Sequence, residues 1–261
     1  MSEPDKKAVS GELSKIVSSA ANLLTAPKQH MCLEEQYCCA EVTRDKMEAL
    51  LKDITRHTSL TEGNAFMGPN KDRQTAEDKV IRRFDGDDTF ITDVVRGKIV
   101  IDDAQQLAEI QEILASCGSD LMREHDIEVA HINDNFATPK QYTWYRGLGY
   151  KLSVPTDNGQ AQIIELQVVS SAMESIYDVT HLHKRAAEDV YNKAAKEGRE
   201  LTEEELEHAS QHYAVCQWYN SKVAHDEGFD HFLKDKEKYG FTDEREKKLM
   251  NMMKHVNLDL G

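Results

Sequence analysis

The chain has 261 residues, 39% of them hydrophobic and 30% charged, with a formal net charge of −15. This suits one large soluble domain, or a smaller one with helical additions, and argues against a general nucleic-acid binder, which needs clustered cations against phosphate. The five cysteines, Cys32, Cys38, Cys39, Cys117 and Cys216, are odd in number and lack C-x-x-C spacing, so a reducing compartment is expected rather than a disulfide framework or zinc site.

No apolar run approaches the roughly 20 residues of a membrane span. The polar start, Met1 to Asp5, lacks the apolar region of a secretion signal, which points to the cytoplasm and leaves non-classical export open.

Leu13, Ile16, Ala20 and Leu23 recur at helical spacing up to Pro27, and Met47, Leu50, Leu51 and Ile54 predict a second helix. Gly63 and Gly68-Pro69 mark a loop. Ala76, Val80 and Phe84 recur every four residues and predict a helix between Lys71 and Phe84, with Lys79 and Arg82 on one flank; Gly86 makes a turn. From Asp93 to about Val169 the pattern is α+β: a strand over 94–101, a helix over 103–116 and a strand over 126–132. After an aromatic-rich connection come strands over 148–154 and 161–169. Asp157-Asn158-Gly159 between the last two is a hairpin cue.

Beyond Ser170 the pattern is helical. Ile176, Val179, His183, Ala186 and Val190 form one stripe. Thr202-x-x-Glu205 is a capping box opening a helix that carries Leu206, Ala209, Tyr213, Cys216 and Val223. Asn220 falls in that series, and the short run of 3,4 spacing fits a bundle helix rather than a long coiled coil.

Two segments carry the chemistry. Asp93-Val-Val-Arg-Gly-Lys-Ile-Val-Ile101 and Ile163-Ile-Glu-Leu-Gln-Val-Val169 each set a carboxylate in a β-branched run, where burial is costly without a metal or strong donors. In the second, Ile164, Leu166 and Val168 point one way, and Glu165 and Gln167 the other. That second face lines a cleft or simply faces solvent. Asp93 is a metal ligand or a strand-end Asp bonded to a turn amide. Arg96 and Lys98 need anionic partners, either Asp93 or a ligand phosphate.

Lys71, Arg73, Lys79, Arg82 and Arg83 form the most basic stretch of an acidic chain: a solvated helix face or a polyphosphate site. Tyr142, Trp144, Tyr145, Arg146 and Tyr150 surround Gly147 and Gly149. They suit stacking on a base and gripping phosphates, with packing beside Leu148, Leu152 and Val154 as the other reading for Tyr150. His181 and His183 lie about 200° apart on a helix and cannot converge on one ion, and His225-Asp226 reads as surface.

In order and spacing these residues resemble the synthetase domain of the RelA/SpoT family, which has a nucleotidyltransferase-like fold. The resemblance rests on Asp93-Val-Val-Arg-Gly-Lys-Ile, Leu148-Gly-Tyr150, Glu165-Leu-Gln167 and the basic segment from Lys71 to Arg83, and covers about residues 66 to 190. It departs from the family pattern where Arg96-Gly97 shifts the glycine by one, where Lys98 replaces the usual Arg, and where Leu152-Ser153-Val154 replaces Ser-Leu-His.

The resemblance implies a small, synthetase-only relative: a mixed β-sheet core at residues 61–195 between helical segments at 1–60 and 196–261. Its implied reaction is Mg²⁺-dependent transfer of pyrophosphate from ATP to a ribose 3′-hydroxyl, with GDP or GTP as acceptor. Alternatives are a toxin-like relative that modifies adenine nucleotides or an RNA 3′ end, and a catalytically silent interaction module. The implied roles are metal binding for Asp93 and Glu165, and catalysis for Glu165 and Gln167. Lys71, Arg73, Lys79, Arg82 and Lys98 would hold ATP phosphates, and Tyr150 and Arg146 the acceptor. No membrane and no nucleic-acid partner are expected; the helical flanks could support a homo-oligomer.

Overall fold

In the computed structural model the described residues are 27–115, 120–254 and 256. The expected helix on Leu13 to Leu23, and Cys117, lie outside them. Among the described residues no helix is long and apolar enough to cross a membrane. The chain forms two compact units. Among the described residues, one comprises 27–115, 120–135 and 147–174, and the other 136–146, 175–254 and 256.

The first unit is built on a five-stranded mixed sheet: β1 (Ala65–Met67), β2 (Arg96–Ile101), β3 (Glu128–Asp134), β4 (Leu148–Pro155) and β5 (Ala161–Ser170). The order is β1-β2-β5-β4-β3, with β2 and β5 parallel and the other pairs antiparallel. β4 and β5 are the hairpin signalled by Asn158-Gly159, and Gly159 adopts φ +79° in its turn.

Helix α1 (Leu33–Arg56) buries Leu33, Gln36, Ala40, Thr43, Met47, Leu50, Leu51 and Ile54, one stripe at 3,4 spacing. That stripe lies on the sheet: a Cβ added at Gly97 would sit 2.7 Å from the Met47 methyl and 3.3 Å from a Leu51 methyl. A glycine in β2 is what allows this approach. The polar members of the stripe bond to β5, although Gln36 Oε1 is buried without a partner. Thr43 Oγ1 donates to Gln162 Oε1 at 2.9 Å, and Gln162 Nε2 donates to the Gln36 carbonyl at 3.2 Å.

Helix α2 (Arg73–Phe84) is capped by Asp72, which accepts from Thr75 N, and ends at Asp85 in the left-handed region. It buries Ala76 and Val80, as its period predicts. Helices α3 (Ala104–Ala115) and α4 (Asp120–Glu124) lead into β3. That strand begins two residues later than its pattern suggests, because α4 closes with Ile127 N bonded to Met122 O and Asp126 at φ +53°. β1, in a stretch read as loop, is three residues long, too short for a period-2 signal.

The second unit begins in α5 (Ser171–Ser175), followed by α6 (Tyr177–Lys196) and α7 (Glu203–Asp226), opened by the predicted Thr202–Glu205 capping box, then α8 (Lys236–Tyr239) and α9 (Asp243–Met253). Small buried residues, Ala187, Ala194, Ala209 and Ala214, let α6 and α7 pack closely. His183 is buried, its ring nitrogen 2.8 Å from that of His212. Residues 136–146 pack in this unit: Phe136 stacks on Phe229, and Gln217 and Asn220 donate to the carbonyls of Tyr142 and Thr143. Asn220 interrupts the apolar series of α7 for that bond.

Candidate active site on the polar sheet face

Strand register sorts the sheet into two chemically different faces. Arg96 pairs with Glu165 and Lys98 with Gln167 across β2 and β5, while Lys151 pairs with Glu165 and Gly149 with Gln167 across β4 and β5. Residues directly opposite in a ladder share a face. One face therefore carries Arg96, Lys98, Lys151, Glu165 and Gln167. The other carries Gly97, Ile99, Tyr150, Leu152, Ile164, Leu166 and Val168, the α1 side. All six of its side chains are at most 1% exposed.

Asp93 reaches the site from just before β2. Its segment is strand-like without being regular: Val94 O accepts from Lys71 N at 2.8 Å and Val95 O from Glu165 N at 3.1 Å. The first bond also brings Lys71 alongside. Lys71 and Lys79 both donate to Asp93 Oδ2, at 3.1 and 2.8 Å, with the three side chains between 11% and 22% exposed.

Burial alone would raise the Asp93 pKa. The charges of Lys79 and Lys71, the Lys79 hydrogen bond and the more distant Lys151 outweigh it and hold the carboxyl well below its usual range. For Lys79, burial dominates and lowers the ammonium, against the pull of Asp93. The other oxygen, Asp93 Oδ1, is buried with no hydrogen-bond partner.

Glu165 uses both oxygens. Oε1 accepts from Lys151 Nζ at 3.1 Å and Oε2 from Gln167 Nε2 at 3.2 Å. Lys98 is held by both oxygens of Glu174 on α5, at 2.6 and 2.9 Å. Arg96 donates to the Pro69 carbonyl, and its Nε is buried without a partner. The cluster of Asp93, Glu165, Lys71, Lys79 and Lys151 thus carries one excess positive charge in a strongly acidic chain. Such a patch attracts a polyphosphate.

Asp93 fits a magnesium ion in one specific respect, its unpartnered buried oxygen. Magnesium takes one or two carboxylates and completes its shell with water and phosphate oxygens. Among the described residues no group of three or more His, Cys, Asp or Glu is arranged to hold a metal, so an all-protein cage is absent there.

Two expected roles need correction. Tyr150 is 1% exposed and lies on the α1 face opposite Leu166, away from Glu165, so its ring is core and cannot stack on an acceptor base. Burial raises its hydroxyl pKa well above that of a free tyrosine. Arg146 is 1% exposed within the helical unit and paired with Asp230 at 2.7 Å, so its guanidinium is not open to an acceptor's phosphates. Arg73 is half-exposed and bound to Glu34 and Glu77, outside the Asp93 cluster. Arg82 lies in α2, with its side chain outside what the structure describes.

Lys151 and Glu174 were not anticipated. Lys151 had a signal: if Leu148, Tyr150, Leu152 and Val154 share a face, Lys151 must stand on the other, with Glu165. Glu174 had none, since its role depends on where α5 starts.

A scan against protein-family models found no match, and neither did a search of the curated proteins. Among solved structures, the chain is similar to small alarmone synthetase 1 from Bacillus subtilis bound to its product pppGpp. Identity is 14%, the TM-score 0.49, and coverage 75% of this chain and 96% of that one. It is also similar to a GTP pyrophosphokinase family protein from Streptococcus pneumoniae, with 15% identity, TM-score 0.46 and coverage of 77% and 98%. A third similar structure is the complex of the Type VI effector Tas1 with its immunity protein, with 19% identity, TM-score 0.42 and coverage of 74% and 96%.

Proposed function

We propose that the chain is an ATP- and Mg²⁺-dependent nucleotide pyrophosphokinase that transfers pyrophosphate to a ribose 3′-hydroxyl, with GDP or GTP as acceptor. The observation that carries this reading is the pair of carboxylates, Asp93 and Glu165, ringed by lysine ammoniums at 2.8–3.1 Å beside one polar sheet face. The sequence resemblance supplies the reaction type.

The acceptor oxygen attacks the β-phosphorus of ATP. A new O–P bond forms, the bond to the α-phosphate oxygen breaks, and AMP leaves with that oxygen. Glu165 takes the hydroxyl proton, its carboxylate oriented by Gln167 and Lys151. Lys71, Lys79 and Lys98 bind and orient the ATP phosphates, with Glu174 giving up Lys98 as phosphate arrives. A magnesium ion on Asp93 and Glu165 would neutralise charge on the transferred group.

One observation favours a second reading, a catalytically silent interaction module: Asp93 is 11% exposed and already bridges two lysines. The test is incubation of the purified chain with labelled ATP, Mg²⁺ and GDP, GTP, adenine nucleotides or RNA, followed by separation of products. A 3′-pyrophosphorylated guanine nucleotide that disappears in Glu165→Gln and Asp93→Asn is expected. A product on adenine nucleotides or RNA alone reassigns the acceptor. No product from any acceptor, with the protein folded, leaves the silent module.

A further inference from the structure

Lys151 is a lysine in the middle of a central strand with a side chain only 12% exposed. Placing an ammonium there costs desolvation that its contacts must offset. An ammonium carries three N–H donors, and the contact found for this one is Glu165 Oε1 at 3.1 Å. The other lysines of the site are disposed differently. Lys71 and Lys79 converge on Asp93 Oδ2, and Lys98 spans both oxygens of Glu174. Lys151 touches Glu165, and its charge also acts on Asp93.

Gly149, one position along the same face, faces Gln167 across the ladder and contributes no side chain to cover the sheet there. A Cβ at Gly149 would meet Asn133 only at an ordinary 3.7 Å, so packing does not demand the glycine. Bare sheet therefore adjoins an ammonium with spare donors.

We propose that Lys151 is a phosphate-contacting catalytic residue. Its ammonium donates to a non-bridging oxygen of the pyrophosphoryl group under transfer while keeping its bond to Glu165. It moves no proton; it stabilises charge on the transferred group and fixes Glu165 relative to it. This rests on the pyrophosphokinase reading, and the test separates the two.

The variants are Lys151→Met, which keeps the stem and removes the charge, and Lys151→Arg, which keeps the charge. Each is measured for turnover with ATP and the acceptor, for melting temperature, and for affinity toward inorganic tripolyphosphate by calorimetry. Lys151→Met is expected to lose on the order of 10²-fold in kcat, as for removal of one oxyanion donor. Its tripolyphosphate affinity is expected to fall roughly tenfold or more, as for one charge-assisted hydrogen bond. Lys151→Arg is expected to recover part of both losses.

If Lys151→Met fails to fold, Lys151→Arg and Lys151→Gln carry the same comparison. Unchanged tripolyphosphate affinity in the charge-removing variant overturns the proposal, and so does equal loss in the arginine and neutral variants. Absence of turnover in the parent chain, with the affinity loss still present, overturns the pyrophosphokinase reading and leaves the phosphate contact standing.

Discussion

Tyr150→Ala tests the register of β4 directly, because Tyr150 and Lys151 are neighbours assigned to opposite faces. The Tyr150 ring is 1% exposed, opposite Leu166 and between Leu148 and Leu152 on its own strand, all at most 2% exposed. Truncating a buried aromatic to alanine costs about 3–5 kcal/mol, from lost transfer energy and the cavity left behind. Against a typical total stability of about 5–15 kcal/mol that is a large share. At about 2–4 °C per kcal/mol for a unit of this size, the melting temperature should fall by about 6–20 °C.

Tyr150→Phe keeps the ring and should cost no more than about 1 kcal/mol. The assay is calorimetric or near-ultraviolet thermal unfolding of both variants, with acceptor KM measured well below the transition. The reasoning fails if Tyr150→Ala melts within about 2 °C of the parent while acceptor KM rises about tenfold. That combination would put the ring on a ligand.

Asp93→Asn leaves Lys71 and Lys79 facing a neutral amide, and a denaturant midpoint should report a loss of about 3 kcal/mol; under about 1 kcal/mol would mean the lysines are already solvated. Arg146→Met removes one of the two partners of Asp230 in the helical unit, leaving His225. It should lower thermal stability by about 3 kcal/mol without altering acceptor KM, and a selective KM effect would restore Arg146 as a ligand.

His212 is held in its neutral form, its pKa lowered from 6.5 to about 4 by burial and then by the neighbouring His183 and His208. With the folded value depressed, its stabilising contribution is complete above about pH 6.5 and is lost as pH falls toward 4. For a partly exposed ring, screening reduces this to about 1 kcal/mol. His212→Gln should flatten urea midpoints between pH 7 and 5, and an unchanged slope would place the titration elsewhere.

Gly97→Ala drives a methyl against Met47 and should cost about 1–2 kcal/mol. In the double variant with Met47→Ala the two costs should sum to less than their parts, and strict additivity would contradict the contact.

The elements were legible where one periodicity governed a segment. The 3,4 stripe of α1, the four-residue spacing of α2, the β4–β5 hairpin and the capping box of α7 follow from which residues must be apolar on one side. Strand alternation likewise separated Glu165 and Gln167 from the core. β1 and the start of β3 were not legible, since a three-residue edge strand has no period and a left-handed helix end consumes residues that look extended.

The sequence by itself determined the four longer strands, helices α1, α2, α3, α6 and α7, and which two acids stand in apolar runs, because burial is enforced residue by residue along the chain. Tertiary structure alone decided which cations meet those acids. Lys71 arrives through a backbone bond to Val94, Lys79 from a helix, and Lys151 by β4–β5 register, while Arg146 goes to Asp230 instead. Ion pairing acts across space and carries no sequence period, so a one-dimensional pattern could name the charges without assigning their partners.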